Sequence, residues 1–204
     1  MKTFFFENAY SDCESKYAAF HPNRLTIVVG RNGYGKTSFM HALENKLKTK
    51  NIPYIEWNDN SNGRSNGMSK LMWNDDLETL AQMAFHSEGE ALLTSFGKFC
   101  VQRIKYQITK YPDTKELFVL IDQIDSGLDV YMINDIKNAF KGNIIPDLKA
   151  RGVTVYIVMT SNGYELARDE DCIDPVTRNH IIFNDYNHYV EYISSMYRKS
   201  EDGE

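Results

Sequence analysis

Short apolar segments alternate with longer amphipathic ones along this chain. Apolar runs bounded by polar or turn residues predict strands over residues 2–8, 25–29, 52–57, 117–121, 153–159 and 181–183. Apolar positions at helical spacing predict helices over residues 37–48, 70–85, 90–109, 130–140, 145–150 and 189–199. Strands that alternate with helices predict an α/β fold, a mostly parallel sheet flanked by helices with right-handed crossovers.

The length of 204 residues suits one α/β domain. We place it at residues 1–199 and predict a disordered tail over residues 200–204, SEDGE. Residues 58–68 are polar, glycine-rich and aperiodic and predict a mobile loop, and the acidic run 169–171 predicts a solvated loop. The continuous apolar run 117–121 is typical of a strand buried on both faces of a parallel sheet.

The net charge and the cysteine content restrict the binding partners and the cellular compartment that we expect for the protein. The formal net charge of -5 gives no general basic field for nucleic acid, although a local basic patch or delivery by a partner stays open. The three cysteines, Cys13, Cys100 and Cys172, fit no zinc or disulfide framework, which indicates a reducing compartment. Because no apolar run is long enough to span a bilayer, we predict a soluble, cytoplasmic protein without membrane contact.

The segment GRNGYGKT, Gly30–Thr37, matches the phosphate-loop pattern G-x-x-x-x-G-K-[ST] between a predicted strand and a predicted helix. Glycines let backbone N–H groups curl around phosphates, and the helix N-terminus favours the same negative charge. Lys36 is expected to reach the β- and γ-phosphates, and the Thr37 hydroxyl to coordinate Mg²⁺. The sequence therefore predicts Mg·ATP binding, with nucleotide contacts from Arg31, Asn32, Gly33, Tyr34, Gly35, Lys36, Thr37 and Ser38.

A carboxylate stands where the buried strand 117–121 ends. Asp122 follows this run directly. A carboxylate at the end of a strand beside the phosphate loop can hold Mg²⁺ through water. We therefore predict Asp122 as the second metal-side residue, together with Thr37.

Three motifs in order resemble those of one family. The stretch DQIDSGLD, Asp122–Asp129, resembles the Walker B and D-loop pattern D-E-x-x-S-G-L-D of ABC-class ATPases, and GRNGYGKTS resembles their phosphate loop. Between them, HSEGE, His86–Glu90, resembles their signature motif. The chain thus resembles an ABC-superfamily ATPase head, nearer the SMC/RecF/OLD-like group than the membrane transporters. The short interval from Thr37 to Ser87 implies an abbreviated helical subdomain and leaves no room for a long coiled-coil arm.

This resemblance implies a head-to-tail dimer around two ATP molecules. Ser87 and Gly89 of one subunit would contact the γ-phosphate held by the other, and Asp129 would act as the D-loop residue. In the alternatives, Ser87 is a helix N-cap with Glu90 completing a capping box, and Asp129 is a solvated turn carboxylate. The family further implies a nucleotide-driven switch for a protein effector, in DNA maintenance or phage defence.

Two positions depart from the family pattern. Gln123 stands where the family has a glutamate that polarises the attacking water, and a neutral amide cannot accept the proton of that water. We favour a Glu→Gln substitution introduced to trap the ATP-bound dimer, against a natural, slow or inactive ATPase. After the strand 153–159, Asn162 lies where the family has a switch histidine; it either contacts the γ-phosphate or the attacking water, or belongs to a plain Asn-Gly turn.

Two other functions compete with this ATPase. A monomeric P-loop kinase or phosphotransferase needs an arginine-rich lid, but residues 58–76 contain only Arg64. A regulatory subunit that binds ATP without hydrolysis differs from the ATPase only in turnover. Gln123 is the residue that decides between the ATPase and the regulatory subunit.

Overall fold

The computed structural model describes residues 1–6, 16–58, 88–125 and 128–201. The strands are Lys2–Phe5 (β1), Tyr17–Phe20 (β2), Arg24–Val29 (β3), Tyr54–Asn58 (β4), Glu116–Asp122 (β5), Thr154–Ser161 (β6), Asp171–Ile173 (β7) and His180–Ile181 (β8). The α-helices are Lys36–Thr49 (α1), Glu88–Lys110 (α2), Val130–Ala139 (α3), Ile145–Ala150 (α4), Tyr164–Ala167 (α5) and Tyr186–Glu201 (α6). A π-helical segment, Phe140–Ile144, joins α3 to α4.

Over the described residues, the central sheet has the strand order β4-β5-β6-β3-β7-β8. All neighbours are parallel except the antiparallel pair β7 and β8. A separate antiparallel pair consists of β1 and β2. The predicted α/β fold with a mostly parallel, helix-flanked sheet is therefore confirmed.

The sheet is buried on both faces. Along β5, Leu117, Val119 and Ile121 belong to one apolar cluster, which includes residues of α2, α3 and α6. The intervening Phe118 and Leu120 belong to the other, together with residues of α1, β1 and β2. This division follows from the two-residue period of a strand, and it explains why β5 is apolar throughout.

The parallel register brings three strand ends to one edge. Val29, the last residue of β3, is aligned with Ser161 at the end of β6. Ile121 on β5 is aligned with Met159 on β6, so Asp122 lies at this same edge. In parallel sheets, the crevice outside the carboxyl ends of the strands is the usual ligand site.

Several predicted elements need correction. Strand β2 was not predicted, because its four residues YAAF carry no distinctive pattern. The acidic run 169–171 is not simply a solvated loop, because Glu170 is 5% exposed and pairs with Lys137 and Lys141 at 3.1 and 2.5 Å, while Asp171 begins β7. Helix α6 extends to Glu201 and includes two residues of the predicted tail.

Other predictions fall partly or wholly outside the described residues. These are the loop over residues 58–68, of which only Asn58 is described and ends β4, the helix 70–85, Ser87, and the Ser-Gly pair of the D-loop stretch at residues 126 and 127. The one-domain boundary stays a prediction. Within the described ranges, no helix is both long and apolar enough to cross a membrane.

Candidate nucleotide-binding site

The predicted phosphate loop connects β3 to α1, as its sequence context requires. Gly33 and Gly35 have φ values of +78° and +88°, in the left-handed region that favours glycine. Gly30 is needed for a different reason, since a Cβ there would lie 2.9 Å from Cδ1 of Tyr34. At Gly33 and Gly35 the loop thus has a backbone conformation that glycine adopts without strain, and at Gly30 it leaves room for the Tyr34 side chain.

Helix α1 begins at Lys36, directly after the loop. Its first intrahelical bond runs from the Phe39 N–H to the Gly35 carbonyl at 2.9 Å, so the N–H groups of Lys36, Thr37 and Ser38 have no partner within the helix. No acidic side chain occupies its first turn. N–H groups without an intrahelical partner and the positive end of the helix dipole together favour an anion at this point.

The Lys36 side chain turns back over the loop. Its Nζ donates to the carbonyls of Gly30 at 2.6 Å and Arg31 at 3.0 Å, and the residue is buried. Burial lowers the pKa of Lys36, while the nearby carboxylates of Asp125 and Asp122 act in the opposite direction. A buried ammonium therefore faces two carboxylates at the edge of the sheet.

Asp122 ends β5 and is buried. Its Oδ1 accepts a hydrogen bond from Thr160 Oγ1 of β6 at 2.7 Å. The same Thr160 oxygen accepts the N–H of Gln123 at 2.8 Å. Gln123 has a φ of +60°, an uncommon conformation for a residue with a side chain, and this Thr160 contact helps to hold it.

The next turn along the chain contains a carboxylate that the sequence analysis did not single out. Asp125 Oδ2 accepts hydrogen bonds from Ser161 Oγ at 2.8 Å, the Asn162 N–H at 2.7 Å and the Gly163 N–H at 3.1 Å. The sequence did contain a signal for Asp125, because it is a second aspartate three residues after Asp122. Residues that follow neighbouring parallel strands lie at the same edge of the sheet, so Asp125 could have been expected near the end of β6.

These elements enclose a cleft of about 530 Å³. Most of the predicted phosphate contacts line it, and the two residues that depart from the family pattern lie across from them. The lining residues are Asn32, Gly33, Gly35, Lys36, Thr37, Ser38, Gln123 and Asn162. The structure therefore brings together groups that the sequence separates by more than a hundred positions.

A smaller cleft of about 290 Å³ adjoins the first, because Gly35 and Ser38 line both. In it, the Arg178 guanidinium lies 5.1 Å from the ring centroid of Phe6 and 4.8 Å from that of Phe39. Both rings are buried. Sequence reasoning missed this second cleft, since Phe6 and Arg178 belong to no motif.

Not every predicted contact lies in the larger cleft. Among the described residues, Arg31 and Tyr34 do not line it; Tyr34 lines a neighbouring cavity with Asp174 and Tyr192 instead. Asp129 is the N-cap of α3, where its Oδ1 accepts the Met132 N–H at 2.9 Å. Gly89 lies in the first turn of α2, and Ser87 is outside the described residues.

A mostly parallel sheet with this loop, this buried lysine and a strand-end aspartate defines a P-loop nucleoside triphosphatase. Residues 9–169, most of the chain, match the family described as AAA ATPase domain, and the chain belongs to that family. Its biochemical class is therefore that of nucleotide-binding P-loop ATPases. Among curated proteins, none matches the chain.

Proposed function

We propose that the chain binds Mg·ATP with its triphosphate in the larger cleft and uses the bound nucleotide to switch between two states of assembly. The observation that carries this proposal is the buried Lys36 ammonium at the N-terminus of α1, beside a loop whose glycines adopt positive φ. The N–H groups of the first turn, which lack a partner within the helix, give the cleft the donors that phosphate oxygens need.

The residues also fit a divalent cation. Thr37 lines the cleft, and Asp122 ends the neighbouring strand with one oxygen fixed by Thr160. A hydroxyl and a carboxylate are ligands that Mg²⁺ prefers. We propose that these two residues hold Mg²⁺, which when bound supplies positive charge to the β- and γ-phosphate oxygens.

The smaller cleft is suited to the nucleoside. It continues directly from Gly35 and Ser38, where the phosphate cleft ends. The planar guanidinium of Arg178, supported by Phe6 and Phe39, offers a flat surface on which a purine can stack. We therefore place the base of ATP against Arg178.

The groups across from the phosphate loop determine turnover. Gln123 and Asn162 both carry amides, which can orient a water molecule but cannot take its proton. We propose that ATP binds normally and is hydrolysed slowly. We favour the explanation that Gln123 replaces a glutamate in order to trap the ATP-bound state. The alternative is a natural regulatory subunit that binds ATP without hydrolysing it, and Gln123 is consistent with that function too.

The wider proposal is an ATP-dependent head-to-tail homodimer of the ABC type. Ser87 and Gly89 would close over the nucleotide of the other subunit, beside Asp129. Val130 and Tyr131, directly after Asp129, are 47% and 82% exposed and are accessible to such a partner subunit. Contacts to the γ-phosphate disappear on hydrolysis, so such a dimer can switch a protein effector, in DNA maintenance or phage defence.

Binding of Mg·ATP, followed by calorimetry, tests the site. Lys36→Met removes the buried ammonium and is expected to weaken Mg·ATP binding roughly 100-fold, because charge-assisted hydrogen bonds to phosphate are among the strongest. The matched control is Lys48→Met, which removes a 54% exposed ammonium from the last turn of the same helix and is expected to bind as the unaltered chain does. Equal affinity of both variants for Mg·ATP would rule out the proposed phosphate site.

A further inference from the structure

The backbone of Asn162 is held from two sides. Its N–H donates to Asp125 Oδ2 at 2.7 Å, and its carbonyl accepts from the Tyr189 hydroxyl of α6 at 3.3 Å. Burial, with the Asp125 carboxylate as the next cause, raises the pKa of Tyr189 to about 12, so the phenol keeps its proton as a donor. Asn162 itself is exposed and lines the phosphate cleft.

The Asp125 carboxylate binds three successive residues at the end of β6 and in the turn after it. Its Oδ2 binds Ser161, Asn162 and Gly163, which is three donors on one oxygen. Its Oδ1 is buried and has no hydrogen-bond partner among the described residues. A carboxylate that is committed to one turn in this way fixes where that turn lies relative to β5.

We propose that Asp125 is a positioning residue that holds Asn162 in the cleft, so that the Asn162 amide faces the terminal phosphate of bound ATP. Tyr189 is the second support and connects α6 to the same turn. This inference rests on the proposed function, because it assigns a task to the cleft that the nucleotide would occupy. The property that distinguishes this role is a preference for ATP over ADP, because Asn162 would contact the γ-phosphate, which ADP lacks.

Two other roles for Asp125 give different results. A purely structural brace stabilises the fold, and its loss weakens ATP and ADP binding alike. A purely electrostatic role acts through the Lys36 ammonium, since Asp125 is a nearby carboxylate that opposes the effect of burial there. Only a positioning role requires both the Asn162 side chain and a hydrogen-bond acceptor at position 125, and it does not require the negative charge of Asp125.

Calorimetry with Mg·AMPPNP and Mg·ADP separates these roles. Asp125→Ala removes the acceptor and is expected to lower the preference for AMPPNP over ADP roughly tenfold, the effect of one lost hydrogen bond to a charged group. Asp125→Asn keeps an acceptor oxygen without the charge and is expected to restore most of that preference. The control is Asp147→Ala, which removes an exposed carboxylate of α4 that pairs with Arg151, and it is expected to leave the preference unchanged.

The Asn162→Ala background completes the test. There, Asp125→Ala is expected to cause no further loss of preference, because the residue it positions is gone. A further tenfold loss in that background, or failure of Asp125→Asn to restore the preference, would overturn the inference.

If Asp125→Ala does not fold, Tyr189→Phe removes the other support and is expected to lower the preference in the same direction; an unchanged preference overturns the inference. The proposed function fails separately, if the unaltered chain binds neither nucleotide.

Discussion

Thr160 Oγ1 donates a 2.7 Å hydrogen bond to Asp122 Oδ1, and both residues are buried where β6 and β5 end. The same hydroxyl accepts the N–H of Gln123, so one side chain of β6 orients both the proposed metal-side carboxylate and the residue at the proposed catalytic position. Such a residue supports the site without lining the cleft.

Replacing Thr160 by valine keeps the shape of the side chain and removes the hydroxyl. We expect a loss of about 1–3 kcal/mol in the free energy of unfolding, since the buried Asp122 carboxylate and the half-buried Gln123 N–H lose their partner. Magnesium-dependent affinity for ATP is expected to fall as well. Urea unfolding and calorimetry measure these effects, with Thr154→Val at the other end of β6 as the control. Equal effects of the two variants would contradict this account of Thr160.

Restoring glutamate at position 123 supplies a base beside the cleft. Because a positioned general base contributes about 10²–10⁴-fold, we expect Gln123→Glu to raise phosphate release from Mg·ATP by roughly that factor. Single-turnover phosphate release measures it, and Gln123→Glu combined with Lys36→Met provides the background. Release that stays at background would sink the explanation of Gln123 as a trapping substitution.

The phosphate loop and the Asp122 strand end were predictable from sequence, because each follows from local chemistry. Glycine at positions 33 and 35 is what a positive φ demands, and the run before Asp122 is apolar on both faces because β5 is covered on both. In such segments, a short window of residues carries the signal that predicts the structure.

The missed features depend on contacts between distant residues. Glu170 looked solvated in an acidic run, yet Lys137 and Lys141 cover it from another part of the chain. The proposed role of Asp125 depends on the register of β5 and β6, which brings its carboxylate to the Asn162 N–H. No local sequence pattern predicts contacts of this kind, because they depend on the order and register of the parallel strands.

Arg178 is expected to recognise the base and not the phosphates. Arg178→Ala removes the stacking plane, so we expect affinity for Mg·ATP to fall roughly tenfold, in line with the 1–3 kcal/mol of a base stacking contact. Affinity for inorganic tripolyphosphate is expected to stay unchanged. Arg151→Ala, which removes an exposed arginine, is the control. Parallel losses for ATP and tripolyphosphate would contradict the placement of the base.

His180 gives the fold a pH dependence. Its Nδ1 lies 2.7 Å from Asp171 Oδ1, and this hydrogen bond raises the pKa of His180 above the ordinary 6.5. The folded state therefore binds the proton more tightly than the unfolded state. This stabilisation is present in full below pH 6.5 and is lost as pH rises through the higher pKa of the folded state.

Urea unfolding at a series of pH values tests this expectation. His180→Gln is expected to reduce the loss of stability that accompanies a rise in pH just above 6.5. His41→Gln, which changes a 60% exposed histidine on α1, is expected to retain it. The same slope in the His180 variant and the unaltered chain would contradict the assignment to His180.

The most direct test of the nucleotide-driven switch is the mass of the protein in solution, measured by light scattering with and without saturating Mg·ATP. The account predicts a change from the 23.6 kDa chain to twice that mass when Mg·ATP is added. The mass of neither the Lys36→Met nor the Ser87→Arg variant is expected to double, because the first lacks the proposed phosphate-binding ammonium and the second alters the proposed signature motif. A chain that binds Mg·ATP and keeps its single mass would contradict the dimer and return Asp129 to its role as a helix cap.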